Sequence, residues 1–130
     1  YPAVYKLWKG RAALREAHEE IGLEPERVDV LGLMPTYSTV TNFVVTPVVG
    51  IVVPPLAGWR PDPREVDAVF EVPLGFLMTP THHQRHRFEW DGLTREFLSM
   101  TWRDPIDGNE RFIWGATAAM LRNLYRLLAA

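Results

Sequence analysis

Arg15-Glu16-Ala17-His18-Glu19-Glu20-Ile21-Gly22-Leu23 is the stretch on which the reading of this chain turns. At about 100° per residue, Glu16, Glu19 and Glu20 share one helical face at i, i+3 and i+4, with Leu14, Ala17 and Ile21 opposite. Gly22 suits the position just past a helix end, where positive φ costs glycine little, and Pro25 forbids continuation, so the spacing predicts a helix over 11–21. Three carboxylates converging beside one point repel one another unless a cation sits among them. A hard divalent ion such as Mg²⁺, which takes oxygen ligands, is the natural occupant. Glutamates opposite a single apolar stripe are commonly plain solvated surface, so the triplet by itself leaves both readings open.

The full pattern is more specific. With average residue usage, Arg-Glu-apolar-x-Glu-Glu-x-Gly-apolar arises by chance on the order of once per ten million start positions. It resembles the second half of the Nudix box, G-x5-E-x7-R-E-U-x-E-E-x-G-U, with the small Ala17 at the first apolar position. That resemblance implies a pyrophosphohydrolase acting on a nucleoside diphosphate linked to another group. It also implies an α/β fold, a Nudix-type α/β/α sandwich with a mixed β-sheet between helices. Carried onto this chain, it makes Glu16, Glu19 and Glu20 ligands of Mg²⁺ or Mn²⁺ and gives Arg15 an ion pair that orients Glu16. The general base is then Glu16 or a carboxylate of a later loop. The front half of the box does not match, because its opening Gly falls on Tyr1 and its first Glu on Leu7. The expectation is one Nudix domain over 1–130 whose N-terminal part, including the glycine-rich turn, is missing upstream or closed up between Leu7 and Arg15.

Composition sets the outer bounds. The chain has 130 residues, 47% of them hydrophobic, which suits one domain with a core of its own. A net charge of −2 supplies no basic field for nucleic acid or an anionic membrane, so an anionic partner such as a small nucleotide substrate must be met locally. Cysteine is absent, which excludes disulfides and thiolate metal sites and is compatible with a cytoplasmic setting. No apolar run approaches the roughly 20 residues that span a bilayer.

Residues 1–10 are aromatic and apolar and read equally as a strand or the end of a helix. A strand is predicted over 28–34, a polar loop over 36–42, and over 43–53 a β-branched run that reads as a central strand covered on both faces. Pro47 within it predicts a bulge or a passage from one strand to another. A proline-rich loop follows over 54–63, flanked by Arg60 and Arg64, either of which could meet a phosphate. A strand is predicted over 65–74 and a short helix over 74–78.

Residues 82–90 lead through Asp91-Gly92 to a partner strand over 95–102, a strong hairpin signal. His82, His83 and His86 lack a carboxylate or cysteine at metal-ligand spacing, which argues against zinc. The strand reads instead as a basic surface for an anion or as an edge protected by charge. A turn at Asp107-Gly108 precedes a strand over 110–113. Trp114-Gly115 then opens a last helix with Thr117, Leu121, Leu124, Tyr125 and Leu128 as its apolar stripe.

Beyond the box, the resemblance narrows to the coenzyme A pyrophosphatases. It lies in Phe43-Val44-Val45-Thr46-Pro47-Val48-Val49-Gly50, in Glu65-Val66 leading to Val69-Phe70-Glu71-Val72-Pro73-Leu74, and in Ile113-Trp114-Gly115-Ala116-Thr117-Ala118. It implies metal-dependent cleavage of coenzyme A or its derivatives to 3′,5′-ADP and a 4′-phosphopantetheine product. Alternatives are another nucleoside diphosphate derivative, such as ADP-ribose or a dinucleotide, or a Nudix-like binding domain without catalysis. The resemblance also allows a homodimer.

Overall fold

After Pro2 the first 21 residues contain no proline, and Gly10 is the one weak helix former among them. The computed structural model, which describes residues 2–39, 42–52 and 58–130 and the side chains from Arg11 onward, shows one unbroken helix there, α1 (Pro2–Ile21). The predicted helix is thus extended backwards, and the ambiguity at 1–10 resolves as helix for residues 2–10. α1 closes at Gly22, whose φ is +75° and whose N–H donates to the His18 carbonyl at 3.0 Å.

β1 (Val28–Leu33) pairs antiparallel with β4 (Val48–Val52). The register passes from Val30 opposite Gly50 to Gly32 opposite Val49, which leaves Leu31 as a bulge where the sequence alternation also fails. Gly50 is required by close approach, since a Cβ there would stand 2.9 Å from Val28 Cγ1. Residues 36–42 are not all loop: β2 (Tyr37–Ser38) pairs with β3 (Val44–Val45). Thr39 closes the ladder, its N–H donating to the Phe43 carbonyl at 2.8 Å and its hydroxyl accepting the Phe43 N–H at 3.1 Å.

The break expected at Pro47 is present, because β3 and β4 belong to separate two-stranded sheets. The expectation of one central strand covered on both faces is corrected. Phe43, Val44 and Ile51 are 70%, 67% and 56% exposed. Proline has no N–H for a ladder, so the run divides into two pieces, each paired on one side. Residues 53–57 lie outside the described part of the chain. The strand predicted over 65–74 is also corrected to a turn followed by irregular chain. The Asp62 carbonyl accepts the N–H groups of Glu65 at 3.1 Å and Val66 at 2.8 Å, which bends the backbone away from an extended path.

α2 (Leu74–Leu77) matches the predicted short helix and leads through a 3₁₀ turn at Pro80–His82 into a three-stranded antiparallel sheet. Its strands are β5 (Gln84–Trp90), β6 (Leu93–Arg103) and β7 (Glu110–Trp114), with β6 in the middle. Asp91 and Gly92 turn the hairpin at φ of 53° and 74°, the two positive values that a tight type I′ connection demands. α3 (Gly115–Ala129) packs on β6 and β7, as expected of the last helix. The middle of the predicted stripe faces inward, with Leu121, Leu124 and Tyr125 half-buried, while its ends at Thr117 and Leu128 are exposed, and Ala118 is buried and Arg122 half-buried on the same side. Arg122 belongs to that face because its guanidinium hydrogen-bonds to His83.

The chain divides into two compact units, Tyr1–Val69 and Phe70–Ala130. Helices and small antiparallel sheets together give the expected α/β class. Among the described residues the buried apolar side chains are Met34, Met100 and Ala118, a thinner core than the composition led one to expect. None of the described helices is long and apolar enough to cross a membrane.

Candidate active site

The last two turns of α1 carry the acidic triplet as the spacing requires. Glu16 and Glu19 are exposed and Glu20 is half-buried, whereas Leu14, Ala17 and Ile21 turn a less accessible face the other way. Among the described residues, none of the Arg15, Glu16, Glu19 and Glu20 side chains has a hydrogen-bond or ion-pair partner. The ion pair that the resemblance implies between Arg15 and Glu16 is not formed there. Nor do any three Asp, Glu or His side chains among the described residues stand close enough together to hold an ion. Exposed like charges lower their repulsion by extending apart, so the triplet shares a face without converging on one point. The donor chemistry still suits Mg²⁺ or Mn²⁺: the donors are hard carboxylate oxygens, and no lysine or arginine occupies them.

The chain after 57 docks on the end of this helix. The Arg60 N–H donates to the Ile21 carbonyl and the Asp62 N–H to the Glu20 carbonyl, each at 2.8 Å, which satisfies two acceptors that a helix terminus leaves open. Gly22 makes room for the contact. A Cβ at that position would lie 3.1 Å from Arg60 Cβ and 3.3 Å from Arg60 Nε.

The two arginines flanking the proline-rich loop differ. Arg64 is held by Asp62 through Nε to Oδ1 at 3.1 Å and Nη2 to Oδ2 at 3.0 Å, with the Arg64 N–H adding a third bond to Oδ1 at 3.0 Å. These bonds hold the Asp62 carboxyl below its ordinary 3.8, the Arg64 side-chain hydrogen bond contributing most, and they raise Arg64 in turn. Arg60 is exposed, and its guanidinium has no acceptor among the described residues. The composition of the loop flagged both arginines, but only the docked backbone separates a committed one from an available one.

The histidines are engaged elsewhere. His82 Nδ1 lies 2.8 Å from the Phe76 carbonyl, with its ring stacked on Phe76 at 4.0 Å. His83 Nε2 meets the Leu77 carbonyl at 2.6 Å, which leaves Nδ1 to accept from Arg122 Nη1 at 3.0 Å. His86 Nε2 lies 2.6 Å from the hydroxyl of the buried Ser99. Each ring satisfies a different local acceptor or hydroxyl, so the three do not form a cluster. Arg85 and Arg87 pair across the ladder with Glu96 at 3.8 Å and 2.7 Å, which favours a charge-protected edge strand over an anion surface.

No family model matches the chain. Two similar proteins, from Salmonella paratyphi B (strain ATCC BAA-1250 / SPB7) and Salmonella newport (strain SL254), are each named "Uncharacterized Nudix hydrolase NudL". Each is 43% identical over 114 residues, covering 87% of this chain. This chain belongs to the Nudix hydrolase family. The match spans 55% of those relatives' length.

Proposed function

We propose that this Nudix-family chain is the catalytic part of a metal-dependent pyrophosphohydrolase that cleaves the diphosphate of coenzyme A or its derivatives to 3′,5′-ADP and 4′-phosphopantetheine. The observation that carries the reading is the set of Arg15, Glu16, Glu19 and Glu20 on the final turns of α1, unpaired among the described residues, in the order Arg-Glu-x-x-Glu-Glu-x-Gly. Glu16, Glu19 and Glu20 would hold the Mg²⁺ or Mn²⁺, and Arg15 would orient Glu16. A divalent ion bound there supplies charge neutralisation at the phosphate oxygens and a more acidic water. Glu16, or a carboxylate of the loop docked at Glu20, takes the proton as the water oxygen bonds to phosphorus and the bridging P–O bond breaks. The coenzyme A assignment draws on the three downstream segments that resemble that subgroup, and with it come the α/β/α sandwich, a cytoplasmic setting and the homodimer.

One observation favours a second reading, a Nudix-like domain that binds without hydrolysis. Residues 2–10, where the front half of the box should supply its glycine-rich turn and, at Leu7, its first glutamate, lie inside the continuous helix α1. A substrate panel with product identification separates the readings. Release of 3′,5′-ADP from coenzyme A is expected. Turnover of ADP-ribose or a dinucleotide alone reassigns the substrate, and binding without turnover of any diphosphate favours the second reading.

A further inference from the structure

We propose that Arg60 grips a phosphate of the substrate, and that Gly22 and the two backbone bonds at the end of α1 serve to hold it in place. The proposal rests on reading the chain as a diphosphate hydrolase. Arg60 is anchored through its own N–H to the Ile21 carbonyl at 2.8 Å, one residue beyond Glu20. Its Nε comes within 3.3 Å of where a side chain at 22 would begin, so the root of the guanidinium lies against the glycine that closes α1, two residues after Glu20.

Asp62, two residues on in sequence, has both oxygens occupied by Arg64, which leaves Arg60 available among the described residues. A substrate diphosphate is a polyanion, and its charge calls for a cation placed alongside the carboxylate face. The planar guanidinium fork matches phosphate oxygens two at a time. Pinning the backbone at the residue and again at Asp62 lowers the ordering cost of that grip.

Arg60→Met retains the aliphatic stem that lies against Gly22 and removes the charge. In the full chain it is expected to raise KM for the hydrolysed diphosphate about ten- to hundredfold with kcat within about threefold and an unchanged melting temperature. Arg60→Lys should fall between, and Arg64→Met, which frees the Asp62 carboxylate to compete for Arg60, should raise KM by less than Arg60→Met does. Coenzyme A and 3′-dephospho-coenzyme A distinguish the source of the phosphate. A loss confined to coenzyme A places Arg60 on the ribose monoester, and an equal loss on both places it on the diphosphate.

Calorimetric titration of the protein with ADP and with 3′,5′-ADP in chelator reads the same contact without turnover. Weaker nucleotide binding by Arg60→Met in a protein with no hydrolase activity sinks the function and keeps Arg60. Equal KM and equal nucleotide affinity in wild type and Arg60→Met overturn the proposal, as does a wild type that binds neither nucleotide.

Discussion

The end of α1 and the sheet of β5, β6 and β7 use their polar groups in opposite ways. At the end of α1 the backbone does the positioning: Arg60 and Asp62 donate main-chain N–H groups to Ile21 and Glu20, while Glu16, Glu19 and Glu20 keep side chains without partners among the described residues. In and beside the sheet the side chains occupy one another. His86 meets Ser99, His83 bridges Leu77 and Arg122, and Glu96 takes both Arg85 and Arg87. Ionisable groups already satisfied by neighbours have little left for a ligand. A region whose geometry is fixed by main-chain bonds can leave its carboxylates and cations for substrate, and this separates a candidate site from a charged surface more sharply than residue type does.

The comparison breaks most visibly at the glutamates. Glu19→Gln and Glu20→Gln should each lower turnover by about two to three orders of magnitude with an unchanged melting temperature. Full activity in both variants would remove α1 from the chemistry. On the other side, His86→Ala strands the buried Ser99 hydroxyl and removes a ring stacked on Phe97 at 4.6 Å. It should cost about 2–3 kcal/mol in urea unfolding, against about 1 kcal/mol for Ser99→Ala. A loss below 0.5 kcal/mol in both, taken as the approximate error of such measurements, would mean that the hydrogen bond is not part of the fold's stability.

Gly22→Ala tests whether the docked backbone matters. With φ at +75° and Arg60 Cβ 3.1 Å from the new methyl, a destabilisation of about 1–2 kcal/mol is expected. The same variant should show a raised KM, which a mere loss of helix capping would not produce. The smallest effect belongs to the Asp62–Arg64 pair. A carboxyl depressed in the folded state stabilises it above the unfolded pKa, and that contribution disappears as pH falls through the lower folded value. An NMR titration of Asp62 should therefore show a midpoint below 3.8, and Arg64→Met should return it to that ordinary range.

Much of the architecture was legible because short-range physics dictates it. Positive φ at Asp91-Gly92 and Gly22, the passage between sheets at Pro47, and the helix opening at Gly115 each follow from the conformational limits of one or two residues. The errors came where long-range pairing decides. Alternation over 65–74 pointed to a strand, yet among the described residues no strand pairs with the segment and it stays irregular, its half-buried Val66, Val69 and Val72 recurring every third residue and not every second. The stripe of α3 holds at Leu121, Leu124 and Tyr125 but not at Thr117 and Leu128, and it omits Arg122, because the neighbour that brings Arg122 inward, His83, lies far away in sequence.

The sequence by itself determined the acidic helix and its stop at Gly22, since i, i+3 and i+4 spacing is a property of any helix and needs no neighbour. Which arginine stands available beside it was decided only by tertiary structure. Residues 60–62 reach the end of α1 through backbone hydrogen bonds that any residue but proline can make, and such bonds leave no mark on composition.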